Sequence, residues 1–252
     1  MDILNTSATT KFYKITNEKE NHFGFQYYDG LNILKEEFND DPSDQCCGGG
    51  LYFADLAHIF HFLDYGVHVR EVILPIGTPN FQMVKCGKKY RANMLILGKR
   101  YDLNKIETYK MLLDQGADIH AGNDYALRWN VENSQWHIVK YLIEAGANIH
   151  IGNDNILTIC VRMGNIDMVK YLIEHGANVH AMNDYALYIA AKQGHLKIIK
   201  YLVENGANLN VIESINFKMD TSMEDVEIIR YLIEQKTKSD RQKIDQRKIN
   251  NK

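Results

Sequence analysis

The chain has 252 residues, enough for one large domain or two modest ones. Its 45% apolar content is that of an ordinary globular protein, and no apolar run approaches the ~18 residues that span a membrane. The net charge of −3 is unevenly placed, because residues 236–252 hold 7 of the 29 basic residues but only 2 of the 32 acidic ones. An acidic body of this kind disfavours nonspecific binding to nucleic acid.

Residues 1–10 lack the charged start and apolar run of a signal peptide and are expected to form a flexible N-terminus. Cys46, Cys47, Cys86 and Cys160 do not make a disulfide framework and read as free thiols of an intracellular protein. Over residues 11–98 the segments "KFYKIT", "HFGFQYY", "GGLYFAD", "VHVREVILP" and "ANMLIL" are short, aromatic or β-branched, and bounded by Gly, Asp or Pro. They predict four or five strands of a small α+β domain, with "LAHIFHFLDYG" as a helix after Asp55. Gly48 to Gly50, behind Cys46 and Cys47, suggest a bend or a close backbone approach. A strand follows these glycines, whereas a phosphate cradle needs a helix N-terminus there. A cysteine nucleophile would need a base beside it, and His58 and His61 are near in sequence only.

The order of these segments resembles ADP-ribosyltransferases of the diphtheria-toxin and poly-ADP-ribose-polymerase type. Lys14-Ile15-Thr16 stands in the place of the family's His-Gly-Thr/Ser strand, Gly30-Leu31 in that of its turn, and Gly50-Leu51-Tyr52-Phe53-Ala54-Asp55 in that of its tyrosine-bearing strand. The resemblance implies a degenerate nucleotide or small-ligand site. Lys14 replaces the family's histidine, Glu71 comes too early to be its glutamate, and Arg91 stands near the last strand, so catalysis is not expected.

From residue 99 the chain repeats itself every 30 residues. "VKYLIEAGANIH" (139–150), "VKYLIEHGANVH" (169–180) and "IKYLVENGANLN" (199–210) share 7 of 12 positions, and Gly116, Gly146, Gly176 and Gly206 mark the step. Such a period predicts stacked units: 99–122 (degenerate), 123–152, 153–182, 183–212 and a terminal cap, 213–235. In 183–212 "YALYIAAKQ" reads as a first helix ended near Gly194. "HLKIIKYLVEN" reads as a second, with Leu196, Ile199, Leu202 and Val203 inward and Lys197, Lys200 and Glu204 outward. Gly206 follows at the left-handed position after the helix, and Asn183 or Asp184 can serve as cap or turn residue.

"GHLKIIKYLVENGANLN" and its copies over about 104–235 resemble the ankyrin repeat, in the 30-residue form of the ankyrin families of giant, mimivirus-like DNA viruses of amoebae. The resemblance implies an α solenoid of helix-turn-helix-hairpin units. Tyr125-Ala126-Leu127-Arg128, Asn155-Ile156-Leu157-Thr158 and Tyr185-Ala186-Leu187-Tyr188 stand where most ankyrins carry Thr-Pro-Leu-His, and three residues are missing from the hairpin, so shortened fingers are expected. It also implies noncatalytic protein recognition on a concave face lined by Arg128, Thr158 and Tyr188 and by Glu132, Arg162 and Lys192. Trp129, with Trp136 in the most divergent unit, is either a binding hot spot or a core filler beside the unusual Asn130 and Ser134.

His120, His150 and His180 recur at the same step, but repeats about 10 Å apart cannot converge on one zinc at about 2 Å, so these side chains are expected to make hairpin hydrogen bonds. No metal or cofactor is expected. The basic tail, 236–252, reads as a frayed helix or a disordered end. The expected partner is a protein, a host protein if the chain is viral, met by a monomer in the cytoplasm or nucleus.

Overall fold

The computed structural model describes residues 10–44, 48–214 and 223–250; Cys46, Cys47 and most of the expected flexible N-terminus lie outside the described residues. Two compact units divide the chain, residues 1–148 and 149–252.

The first unit carries more strands than the apolar runs predict. A seven-stranded antiparallel sheet has the order β4-β9-β6-β1-β5-β8-β7, and β2 with β3 forms a separate hairpin. In chain order the strands are β1 (Phe12–Thr16), β2 (Asn21–His22), β3 (Phe25–Gln26), β4 (Gly30–Ile33), β5 (Leu51–Asp55), β6 (His68–Ile73), β7 (Met83–Cys86), β8 (Lys89–Ala92) and β9 (Met94–Asp102). The segment "HFGFQYY", expected as one strand, is the short β2–β3 hairpin, and the strands that sequence reading misses, β4, β7 and β8, have four residues each, too few for a period of two to show. β9 carries the sheet to Asp102, because Leu103 is fully buried and its N–H bonds to the Val67 carbonyl at 2.8 Å.

β1 is buried at all five positions because β5 and β6 flank it and both its faces are covered. Phe12, Phe53 and Tyr90 form an aromatic knot there, with ring centroids 5.1–5.6 Å apart. The expected helix after Asp55 is a ten-residue 3-10 segment, Leu56–Tyr65, capped by the Asp55 carboxylate, which accepts from the His58 N–H at 3.1 Å. It ends at Gly66, where a Cβ would lie 2.0 Å from the Thr16 carbonyl oxygen. Only glycine lets the chain pass β1 that closely.

Gly49 and Gly50 mark a close approach of the chain to its neighbours. A Cβ on Gly50 would meet the Arg91 side chain at 2.8 Å, and one on Gly49 would meet Asn39 at 2.9 Å. Arg91 is fully buried, donating to Asn39 Oδ1 at 3.0 Å and to the Asp44 carbonyl at 2.8 Å, so the glycines make room for a cation that pins the 39–44 loop.

Still within the first unit, α1 (Ile106–Asp114), α2 (Ala121–Glu132) and α3 (Trp136–Glu144) follow the sheet. The 3-10 segment packs on them: Phe60 stacks on Tyr109 at 6.0 Å, and the Tyr125 hydroxyl donates to Asp64. Asn130 occupies the place that Cys160 and Ala190 hold in later repeats. Its amide donates to the Tyr109 hydroxyl at 2.9 Å and to the Ala126 carbonyl at 2.8 Å, so both fully buried polar groups are satisfied.

In the second unit α4 (Ile151–Arg162) and α5 (Ile166–Glu174) pair, as do α6 (Ala181–Lys192) and α7 (Leu196–Glu204); α4 packs on α6, and α5 on α7. A 3-10 turn, Leu209–Ser214, leads to α8 (Met223–Asn250). Leu172 and Leu202 are fully buried here, as Leu142 is in the first unit. On α7 the buried residues are Ile198, Ile199 and Leu202, while Leu196 and Val203 are half-exposed; the inward stripe lies closer to Ile198 than the spacing suggests. α8 runs on through most of the basic tail, where a frayed or disordered end is expected, and within it the Thr237 hydroxyl donates to the Ile233 carbonyl at 2.8 Å.

The connection into each first helix is the chief local departure. Residues 122–124, 152–154 and 182–184 are left-handed in succession, and the regular helix starts at Tyr125, Asn155 or Tyr185. Asn and Asp tolerate that conformation better than other side chains do. No strand joins successive repeats among the described residues, so the finger is cut down to a turn.

Candidate functional site

One side-chain triad holds each turn. Asp124, Asp154 and Asp184 are buried, and each carboxylate accepts from a histidine Nδ1 four residues earlier, at 2.9 Å from His120, His150 and His180. Each also accepts from a backbone N–H 24 residues later, from Asn148 at 2.8 Å, Asn178 at 3.1 Å and Asn208 at 2.8 Å. The histidines are therefore structural donors, and the aspartate does the tying. Among the described residues no cluster of three or more His, Cys, Asp or Glu is arranged to hold a metal.

The candidate recognition residues divide by burial. Glu132, Arg162 and Lys192 end their first helices and are exposed. Arg128 is half-buried, its guanidinium 5.1 Å over the Tyr125 ring and its Nη2 donating to the Gly122 carbonyl at 3.3 Å. Tyr188 is half-buried and stacks on Tyr185 at 5.7 Å, with the Lys192 ammonium 5.9 Å above it. Thr158 does not belong with them: at 3% exposure its side chain is packed inside the repeat. Trp129, at 9% exposure, likewise fills interior space, which favours the core reading of that residue. In the second unit, Arg162, Tyr188 and Lys192 on the first helices and exposed Met163 just past α4 are among the accessible residues.

The first unit holds a second candidate site, bordered by residues of the two segments, Lys14-Ile15-Thr16 and Gly50 to Asp55, in which the sequence suggests a degenerate nucleotide or small-ligand site. A cavity of about 530 Å³ opens between the β2–β3 hairpin, β1, β5 and the 3-10 segment. Lys14 and Tyr52 both border it, while Glu71 lies on β6 outside its walls, accepting from the Tyr101 hydroxyl. Lys14 is 6% exposed; its Nζ donates to the Tyr52 carbonyl at 2.8 Å and sits 4.4 Å over the Tyr27 ring. Burial, with Lys89 nearby, pushes its amine down to about 7. Burial and the nearby Lys14 charge push the His22 imidazole down to about 4. Burial raises the Tyr27 phenol. The signal that could have located this site is a lysine inside an otherwise apolar strand, "FYKIT".

Comparison with known proteins bears on the repeats. The family model for ankyrin repeats (3 copies) matches residues 101–183 and 125–213. The chain is 50% identical over 129 residues to uncharacterized protein R869 of Acanthamoeba polyphaga mimivirus, covering 51% of this chain and 94% of the relative. Putative ankyrin repeat protein R868 of the same virus is 44% identical over 139 residues, covering 54% of this chain and 68% of the relative. Putative ankyrin repeat protein R896 is 45% identical over the same length but is matched over only 42% of its own. No described helix is long and apolar enough to cross a membrane. With the 30-residue step, the paired helices and the glycine turns seen in place, the chain belongs to the ankyrin repeat proteins, and its relatives include those of a giant virus of amoebae.

Proposed function

We propose that the chain is a noncatalytic recognition scaffold whose repeats form a solenoid and hold a host protein through the exposed ends of the first helices. One observation carries this reading. The repeats keep their buried framework nearly unchanged, with Leu142, Leu172 and Leu202 all fully buried, while the equivalent exposed position changes from Glu132 to Arg162 to Lys192. Packing dictates nothing at that position, so its variation is available to a partner. Arg162 and Lys192, with Tyr188 between them in sequence, make the second unit's face basic and aromatic, which suits an acidic protein surface; arginine and tyrosine are enriched at binding hot spots. Arg128 and Glu132 supply the corresponding positions of the first unit.

The test is affinity capture from amoebal lysate, comparing the wild-type chain with the double variant Arg162→Glu, Lys192→Glu. Both positions are exposed, so the variant keeps its helical circular dichroism and Tm. A protein recovered by the wild type and lost by the variant is the expected result. Identical recovery by both chains removes this face from the proposal.

A further inference from the structure

We infer that the cavity of the N-terminal sheet binds a planar aromatic molecule carrying an anionic group, with the Lys14 ammonium as the charge partner and the surrounding aromatic rings as the walls.

The first support is an unpaired buried charge. Lysine is almost never buried without a partner. The two other fully buried cations of this module show what pairing looks like. Arg70 reaches the Glu20 carboxylate at 2.6 Å and the Gly98 carbonyl at 2.9 Å, and Arg91 reaches loop oxygens at 2.8–3.0 Å. Lys14 has one carbonyl and one ring face, and no carboxylate pairs with it among the described residues. An ammonium has three N–H donors, so one remains to be given to a ligand.

The second support is the wall. Tyr27, Phe25, Tyr52, Phe62 and Tyr65 border a space of about 530 Å³, which lies within the range of small-molecule sites, roughly 300–1,000 Å³. These rings are tilted against one another, Phe25 on Tyr27 at 57° and Phe62 on Tyr65 at 53°, so they offer both faces and edges to an aromatic guest. At the rim, Phe23 is 92% exposed in the β2–β3 turn and holds a φ of +51°. A large aromatic gains nothing from that position in the free protein, and a left-handed backbone costs a non-glycine residue about 1 kcal/mol. It is placed to close over a bound ring.

The third support is the sign of the field. Lys14, Lys35 and Lys89 border the cavity against the single carboxylate of Glu36 among the described lining residues, and the Lys89 ammonium sits 4.3 Å over the Tyr52 ring. A cationic guest is repelled, and an uncharged one leaves Lys14 unpaired. This reading is independent of the repeat surface, since no residue is shared.

Isothermal titration of the full chain tests it with four probes: 2-naphthoate, its neutral isostere 2-naphthamide, 2-naphthyl phosphate, and acetate. At least one aryl anion is expected to bind with a Kd below about 1 mM, and whichever is tighter identifies the anionic group. The amide binds at least about tenfold weaker, the scale of one charge-assisted hydrogen bond, and acetate gives no heat. Lys14→Met, checked for fold by circular dichroism, loses the preference for the anion over the amide. Phe23→Ser, at a position too exposed to affect folding, weakens both aryl anions about threefold. The inference is overturned if neither aryl anion binds, if the amide binds equally well, or if Lys14→Met retains the wild-type preference.

Discussion

Replacing Lys14 by methionine should make the first unit more stable at neutral pH, and the gain should shrink as pH rises. Lys14 is 6% exposed, and burial pushes its amine from 10.5 down to about 7. Each pH unit of that displacement corresponds to about 1.4 kcal/mol, so holding this cation inside the fold costs on the order of 5 kcal/mol. The sign follows from proton counts. Between pH 7 and 10.5 the unfolded chain binds a proton that the folded chain has lost, so the wild type gains stability as pH rises through that window. Below about pH 7 the cost is present in full. Methionine removes the titration and forfeits the hydrogen bond to Tyr52, about 1 kcal/mol. The variant should therefore lead by a few kcal/mol at pH 7, and its lead should fall by about 1.4 kcal/mol per unit toward pH 9. Urea unfolding at pH 7, 8 and 9, read by tryptophan fluorescence, measures this, since Trp129 and Trp136 belong to the same unit as Lys14. His22, held near 4 partly by Lys14, is relieved in the variant, which adds to the variant's lead only as pH falls toward the ordinary imidazole range, and groups remote from Lys14 cancel in the difference. A lead that stays level across the three pH values, or a wild type more stable throughout, refutes the account of Lys14 as a buried, unpaired cation.

Leu172→Ala empties a fully buried position between paired helices and should cost about 2–5 kcal/mol by chemical denaturation; a loss under ~1 kcal/mol would contradict the packing. Asp154→Ala removes the acceptor of both His150 and Asn178 and puts alanine at a φ of +59°, so a loss of about 2–4 kcal/mol is expected. His150→Ala, at a largely exposed donor, should lose less than ~1 kcal/mol, and the reverse order would show that the histidine is the anchor. Gly66→Ala drives a methyl to within 2.0 Å of the Thr16 carbonyl, and the chain should express poorly or melt at least ~10 °C lower; an unchanged Tm would mean that the 3-10 segment can shift off β1.

The repeats were readable because each unit states the same local rule again. Leu142, Leu172 and Leu202 return at one step, and so do Gly116, Gly146, Gly176 and Gly206, whose backbone is left-handed in every copy. Recurrence turns a weak helical signal into a strong one. The same reading placed Thr158 on the surface, although it is buried, because a column of equivalent positions does not reveal which way each side chain turns. The spacing of the histidines suggests hydrogen bonds, whereas their acceptor, an aspartate four residues on, reads from sequence as either a cap or a turn residue, and the structure puts it in a left-handed turn.

The N-terminal sheet was harder to read because its order is nonlocal. β1 lies between β5 and β6, and β4 pairs with β9 across more than sixty residues. The lysine inside apolar "FYKIT" is a signal, but only the pairing of β1 with β5 and β6 shows that it is enclosed.

By itself the sequence determined the period, the helix pairs and the family, since these depend on neighbours a few residues apart and on copies thirty apart. Only the tertiary structure decided which first-helix residues remain exposed, why Gly50 and Gly66 are glycines, and that Lys14 borders an aromatic cavity without an acid beside it. Those properties arise where distant segments meet, and burial and charge pairing are set there.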